Sequence, residues 1–104
     1  MGGINCIDYS TLTVSSTALL LATECSPVMP SQAKGALITV ETDQVRWRDD
    51  GTDPTSSEGH LLNAGDVLTF DSWSVPKLNW RQVLNAIKVI RVTNDAKLKI
   101  SWYD

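Results

Sequence analysis

Few residues in this chain are equipped for chemistry, and they are scattered. His60 is the single histidine, and the two cysteines, Cys6 and Cys25, lie far from it along the chain. A nucleophile–base pair or a zinc site needs thiolates and imidazoles in recognisable motifs, and neither cysteine sits in one. Cys6 and Cys25 are therefore read as small, semi-buried apolar residues, with a bridge between neighbouring strands as the alternative. His60 follows a polar loop and opens a strand, which predicts an exposed or half-exposed structural side chain.

Asp49, Asp50 and Asp53 around Gly51 and Pro54 look superficially like a calcium loop. An EF-hand needs a bidentate glutamate at its twelfth position and a helix on each side, and this segment offers neither. Aspartates beside Gly and Pro commonly make Asx turns that fix loop backbone, and that is the expectation here. The sequence contains no Gly-rich phosphate loop, nucleophile elbow or dinucleotide fingerprint. The reading is a protein that is not an enzyme, with no catalytic residues, no cofactor and no metal.

The four tryptophans are more informative. Trp47 and Trp102 fall on apolar strand faces, where core packing explains them. Trp73 and Trp80 fall in the irregular segment 72–86, beside Pro76, Lys77 and Arg81. Trp with Arg nearby is a composition favoured at protein–protein interfaces. The same rings would also plug one open end of a sandwich, or serve as platforms in a carbohydrate-binding module.

These residues must be positioned by strands. Ala96, Leu98, Ile100 and Trp102 alternate with Lys97, Lys99, Ser101 and Tyr103, the period-two pattern of a half-buried strand. Asn94-Asp95 reads as a turn, with 87–93 as the hairpin partner. Further strands are expected at 9–14, 17–21, 35–42, 59–62 and 66–71. Val45 to Asp49 reads as a return strand, with Val45 and Trp47 on one face and Arg46 and Arg48 on the other. Only 79–86 has helix-like spacing, compatible with one short helix or an irregular loop. Seven or eight short strands predict an all-β fold, an antiparallel β-sandwich or jelly roll.

With 104 residues the chain suits one domain, which buries roughly 60–70% of its unfolded surface. Nine basic residues against twelve acidic ones give a net charge of −3, which argues against nucleic acid as the main partner. The longest apolar run, 18–22, is too short for a membrane span, so no membrane partner is expected. Met1-Gly2-Gly3-Ile4-Asn5 lacks the basic and apolar stretches of a secretory signal, which points to synthesis and use, or assembly, in a cytosol.

The stretch from Val45 to Thr55, Val-Arg-Trp-Arg-Asp-Asp-Gly-Thr-Asp-Pro-Thr, followed by Gly59 and Leu62-Asn63-Ala64-Gly65-Asp66, resembles a recurring pattern. The pattern belongs to small tailed-bacteriophage virion proteins, in particular head decoration or cement proteins. The strand 36–40 and the segments 87–102 also fit that layout, so the resemblance covers about two thirds of the chain. Segment 72–86 is longer than the pattern usually allows, and 1–30 carries no matching motif. The motif itself is scaffold: Arg48 with Asp49 and Asp50 to anchor the loop, Gly51 and Pro54 to set its turns. The resemblance implies a capsid-surface protein of the virion, assembled in the host cytoplasm and bridging neighbouring subunits of the major capsid protein. It also implies a homo-oligomer, dimer or trimer, with a tail or neck component as the alternative. Function would then lie where the chain departs from the pattern: an N-terminal arm of Met1, Gly2, Gly3 and Ile4, and the segment with Trp73, Lys77, Trp80 and Arg81. Such an arm can add a strand to a neighbour's sheet edge.

Overall fold

Alternating side chains build eight strands, β1 (Cys6–Val14), β2 (Leu19–Leu20), β3 (Gly35–Glu41), β4 (Val45–Arg48), β5 (His60–Leu62), β6 (Val67–Phe70), β7 (Lys88–Arg91) and β8 (Ala96–Tyr103). Among the described residues two short helices, α1 (Leu21–Glu24) and α2 (Trp80–Ala86), accompany them. The computed structural model describes residues 5–70 and 80–104.

The strands pair from the chain ends inward: β1 with β8, β2 with β7, β3 with β6 and β4 with β5, all antiparallel. Pairing of β3 with β8 and of β4 with β7 then closes two sheets, ordered β1-β8-β3-β6 and β2-β7-β4-β5. This is a four-rung antiparallel ribbon rolled on itself, the jelly-roll form of the sandwich.

The topology corrects two local expectations. Segment 87–93 is not the hairpin partner of 96–103: β7 and β8 belong to different sheets, and the turn between them crosses the sandwich. The strand at 45–48 is likewise no return strand to β3, because 42–44 also steps from one sheet to the other. Turn residues that permit a hairpin equally permit a crossing, and the choice falls to the long-range pairs β3–β8 and β4–β7. The strand expected at 17–21 shrinks to Leu19–Leu20, since Leu21 opens α1. The segment with helix-like spacing is helical from Trp80 to Ala86, and it buries Leu84 in the core.

The core fills the space between the sheets. Leu98, Ile100 and Trp102 of β8 meet Leu12 and Val14 of β1 and Ile38 and Val40 of β3, with Val45 and Val89 from the opposite sheet. Leu21, Ala22, Leu84 and Ile87 belong to the same cluster. Trp102 is wholly buried, and its indole Nε1 donates to Ser10 Oγ at 2.9 Å. Ser10 Oγ in turn donates to the Pro27 carbonyl at 2.5 Å. A large apolar ring with one polar handle is thus buried with its donor satisfied.

Cys25 is buried and Cys6 exposed, and both are free thiols. The reading of both as semi-buried is therefore corrected at each end. Cys25 lies beside α1 with its Sγ 3.2 Å from the Pro27 carbonyl, and burial pushes its pKa up. Cys6 begins β1 ahead of a register shift between Cys6 and Asp8, with its Sγ 3.5 Å from the Asp8 carbonyl.

A candidate docking face

The two sheets present opposite outer surfaces. On β4 and β7, Val45 and Val89 point inward, so Arg46, Arg48, Lys88 and Ile90 point out. The loop 49–58 engages the three cations of that surface. Arg46 donates through Nε to the Ser56 carbonyl at 3.0 Å and through Nη1 to the Gly59 carbonyl at 2.9 Å. Arg48 grips Asp50 with two guanidinium nitrogens, one of them Nε at 2.9 Å from Oδ1. Lys88 Nζ pairs with Asp53 Oδ1 at 2.9 Å. Pro54 is fully buried beneath the loop.

Asp50 also accepts from the Thr52 amide at 3.3 Å, the Asx turn expected of this segment. Its hydrogen bonds to Arg48 hold its carboxyl down at a pKa of about 2. The expected anchor of Arg48 to Asp50 is present, Asp49 makes no ion pair among the described residues, and the second tie is instead Asp53 to Lys88.

Beside the loop, Arg48, Asp49, Asp50, Glu58, Gly59 and His60 line an open depression of about 340 Å³. His60 is exposed there, its ring 4.7 Å from that of Trp47, which meets Phe70 edge-on at 5.5 Å. Among the described residues, no group of three or more His, Cys, Asp or Glu side chains is placed to hold a metal ion. His60 is exposed, as its position predicted, and its ring rests against that of Trp47.

The sheet β1-β8-β3-β6 is different. Because Leu98 and Ile100 point inward, Lys97, Lys99 and Ser101 point out, and register aligns the outward residues of all four strands. One cross-strand row runs Tyr9, Ser101, Leu37, Thr69; the next runs Thr11, Lys99, Thr39, Val67; a third runs Thr13, Lys97, Glu41. Tyr9 is 51% exposed and Val67 57% exposed. Among the described residues the ion pairs are Arg48–Asp50, Lys88–Asp53 and Arg91–Asp95, so neither Lys97 nor Lys99 has one.

The same sheet's β1 edge is bridged at one point. Thr11 exchanges both backbone hydrogen bonds with Ser26, at 3.0 and 2.9 Å, and the Tyr9 amide donates to the carboxylate of Asp8 at 2.8 Å.

Of the interface residues expected from sequence, Met1, Gly2, Gly3, Ile4, Trp73 and Lys77 lie outside the described residues, and Trp80 and Arg81 are described only as the start of α2. The docking face was not among the sequence expectations. Its signal was present in the outward phase of the β8 alternation, but alternation does not tell which outer face the loops will cover. No family model, curated protein or solved structure matches this chain.

Proposed function

We propose that this chain is a phage capsid cement protein, which binds the outer surface of the head and bridges neighbouring major capsid subunits. The observation that carries the reading is the asymmetry of the sandwich. One sheet's outer cations are engaged by the chain's own loop, while the other sheet offers a face of Tyr9, Leu37, Val67, threonines and two unpaired lysines. A folded domain with one uncommitted face suits attachment to another protein. The resemblance of 45–66 to small phage virion proteins supplies the setting, and jelly rolls recur among viral capsid domains, an analogy at the level of fold. Weak single contacts repeated over a lattice sum to tight attachment, and dimers or trimers would match local symmetry axes.

Mass spectrometry and cryo-EM of the purified particle from the phage encoding this chain test the reading. Copy number near that of the major capsid protein, with density on the outer shell, is the expected result. A handful of copies at the neck or tail moves the protein to that part of the virion. Absence from the particle overturns the proposal.

A further inference from the structure

The ionic chemistry of this molecule is unevenly spent. Arg46, Arg48, Lys88 and Arg91 are each engaged by a backbone carbonyl or an aspartate of the same chain. Lys97 and Lys99 stand two residues apart on the outer face of β8, the second strand of its sheet. Side chains two residues apart on a strand share a face at roughly 7 Å, so the two ammonium groups repel each other. In their rows Lys99 is flanked by the hydroxyl residues Thr11 and Thr39, and Lys97 by Thr13 and Glu41. The register places Lys97 opposite Glu41, yet the two form no ion pair. Glu41 is the acidic residue of these rows, against two lysines. Asp49, Asp50, Asp53 and Glu58 lie in the loop beside the other sheet, and Asp43, Asp66 and Asp95 in the turns at one end of the sandwich. In a chain of net charge −3, the central rows of this face therefore carry two lysines against one glutamate.

We infer that the outer face of β1-β8-β3-β6 docks an acidic patch of another protein, with Lys97 and Lys99 as the charged centre and Tyr9 and Val67 as apolar flanks. Two lysines beside a glutamate make a small footprint for a nucleic-acid backbone, where affinity grows with the number of phosphates neutralised. Exposed Val67 in the row of Lys99 and Tyr9 in the adjoining row find their counterparts on a protein surface, where an aromatic anchor supplies contact area. Naming that protein as the major capsid protein rests on the cement reading; the face and the chemistry of its partner do not.

Two experiments separate the claims. Amide NMR of the isolated protein, titrated with a ten-residue polyglutamate peptide at 50 mM NaCl, should move the signals of Thr11, Thr39, Lys97 and Lys99. Shifts confined to the loop 49–58 and β4, or none at all, would overturn the inference. In the second, binding to capsids stripped of this protein is compared between wild type and the neutralised variant Lys97→Gln/Lys99→Gln. Loss of about tenfold at 50 mM NaCl, shrinking to under about threefold at 500 mM, is expected of an ionic contact screened by salt. Capsid binding that the variant leaves intact sinks the inference and spares the cement reading. Localised peptide shifts without capsid binding sink the cement reading and spare the face. Self-association of the wild type that the variant abolishes would assign the face to a second copy and overturn the capsid as its partner.

Discussion

Ser10 is the buried polar side chain of the described core, and it holds Trp102 and the Pro27 carbonyl together. Ser10→Ala removes the acceptor for a fully buried indole N–H, and an orphaned buried donor costs about 1–3 kcal/mol. A lower urea midpoint with an unchanged slope would record that loss. Asp50 makes a different kind of prediction. Its hydrogen bonds to Arg48 lower its pKa to about 2, from about 3.9 in an unfolded chain. The folded state therefore binds fewer protons than the unfolded state in the interval between those values. The stabilisation is fully present above the unfolded pKa and is lost as pH falls through the folded one. Carbon NMR of the Asp50 carboxyl should place its midpoint near pH 2, and Arg48→Gln should return it towards 3.9. The pair is exposed at the surface, so the change in global stability should be small.

Among the elements, the loop between β4 and β5 depends on Gly59. Its φ of +138° is one that L side chains rarely adopt. A Cβ there would stand 3.1 Å from the Trp47 carbonyl oxygen, 3.2 Å from Arg46 Cβ and 3.3 Å from Pro54 Cβ. Gly59→Ala should therefore destabilise by about 1–3 kcal/mol. It should also free the loop locally, visible as faster amide exchange at 55–59 while exchange in β8 slows or quickens only with global stability. Equal acceleration everywhere would mean that the loop is not a separate opening unit. At the other end, Thr42 has φ of +75°, a costly conformation for a β-branched residue, at the crossing from β3 to β4. Neighbouring turns are tied to that crossing: Gln44 Nε2 donates to Asn63 Oδ1 at 2.6 Å, and Asn94 Nδ2 donates to Asp43 Oδ2 at 2.9 Å. The bond from Asn94 is the leading cause that lowers the pKa of Asp43.

At the scale of the molecule, the two sheets share one core and divide the surface chemistry. The β2-β7-β4-β5 sheet is held by contacts within the chain, and changing its cations should loosen the loop 49–58 rather than any partner. The β1-β8-β3-β6 sheet carries its lysines and its exposed Tyr9 and Val67 without an ion pair among the described residues. Substitutions there should leave the fold intact and act on association. On the proposed reading, stability and attachment fall to opposite faces, which is what makes the neutralised lysine pair a clean probe.

Strand identity was legible because each strand has two chemically distinct sides. Alternation in 96–103 identified Ala96, Leu98, Ile100 and Trp102 as buried, and the facing of Val45 and Trp47 against Arg46 and Arg48 followed from the same rule. The Asp-Gly and Pro signals in 49–58 located the loop, and the neighbouring Arg48 identified its anchor. Which strand lies beside which was not legible, because a period of two encodes inside and outside but names no neighbour. Asn94-Asp95 therefore suggested a hairpin where the chain crosses between sheets. The fates of Cys6 and Cys25 were hidden for the same reason, since exposure of one and burial of the other depend on where β1 begins and where α1 packs. The sequence by itself determined an all-β sandwich or jelly roll and the inward side of its longest strands, because alternation encodes inside and outside. Only the tertiary structure decided which outer face the chain's own loop engages and on which face Lys97 and Lys99 stand without an ion pair among the described residues.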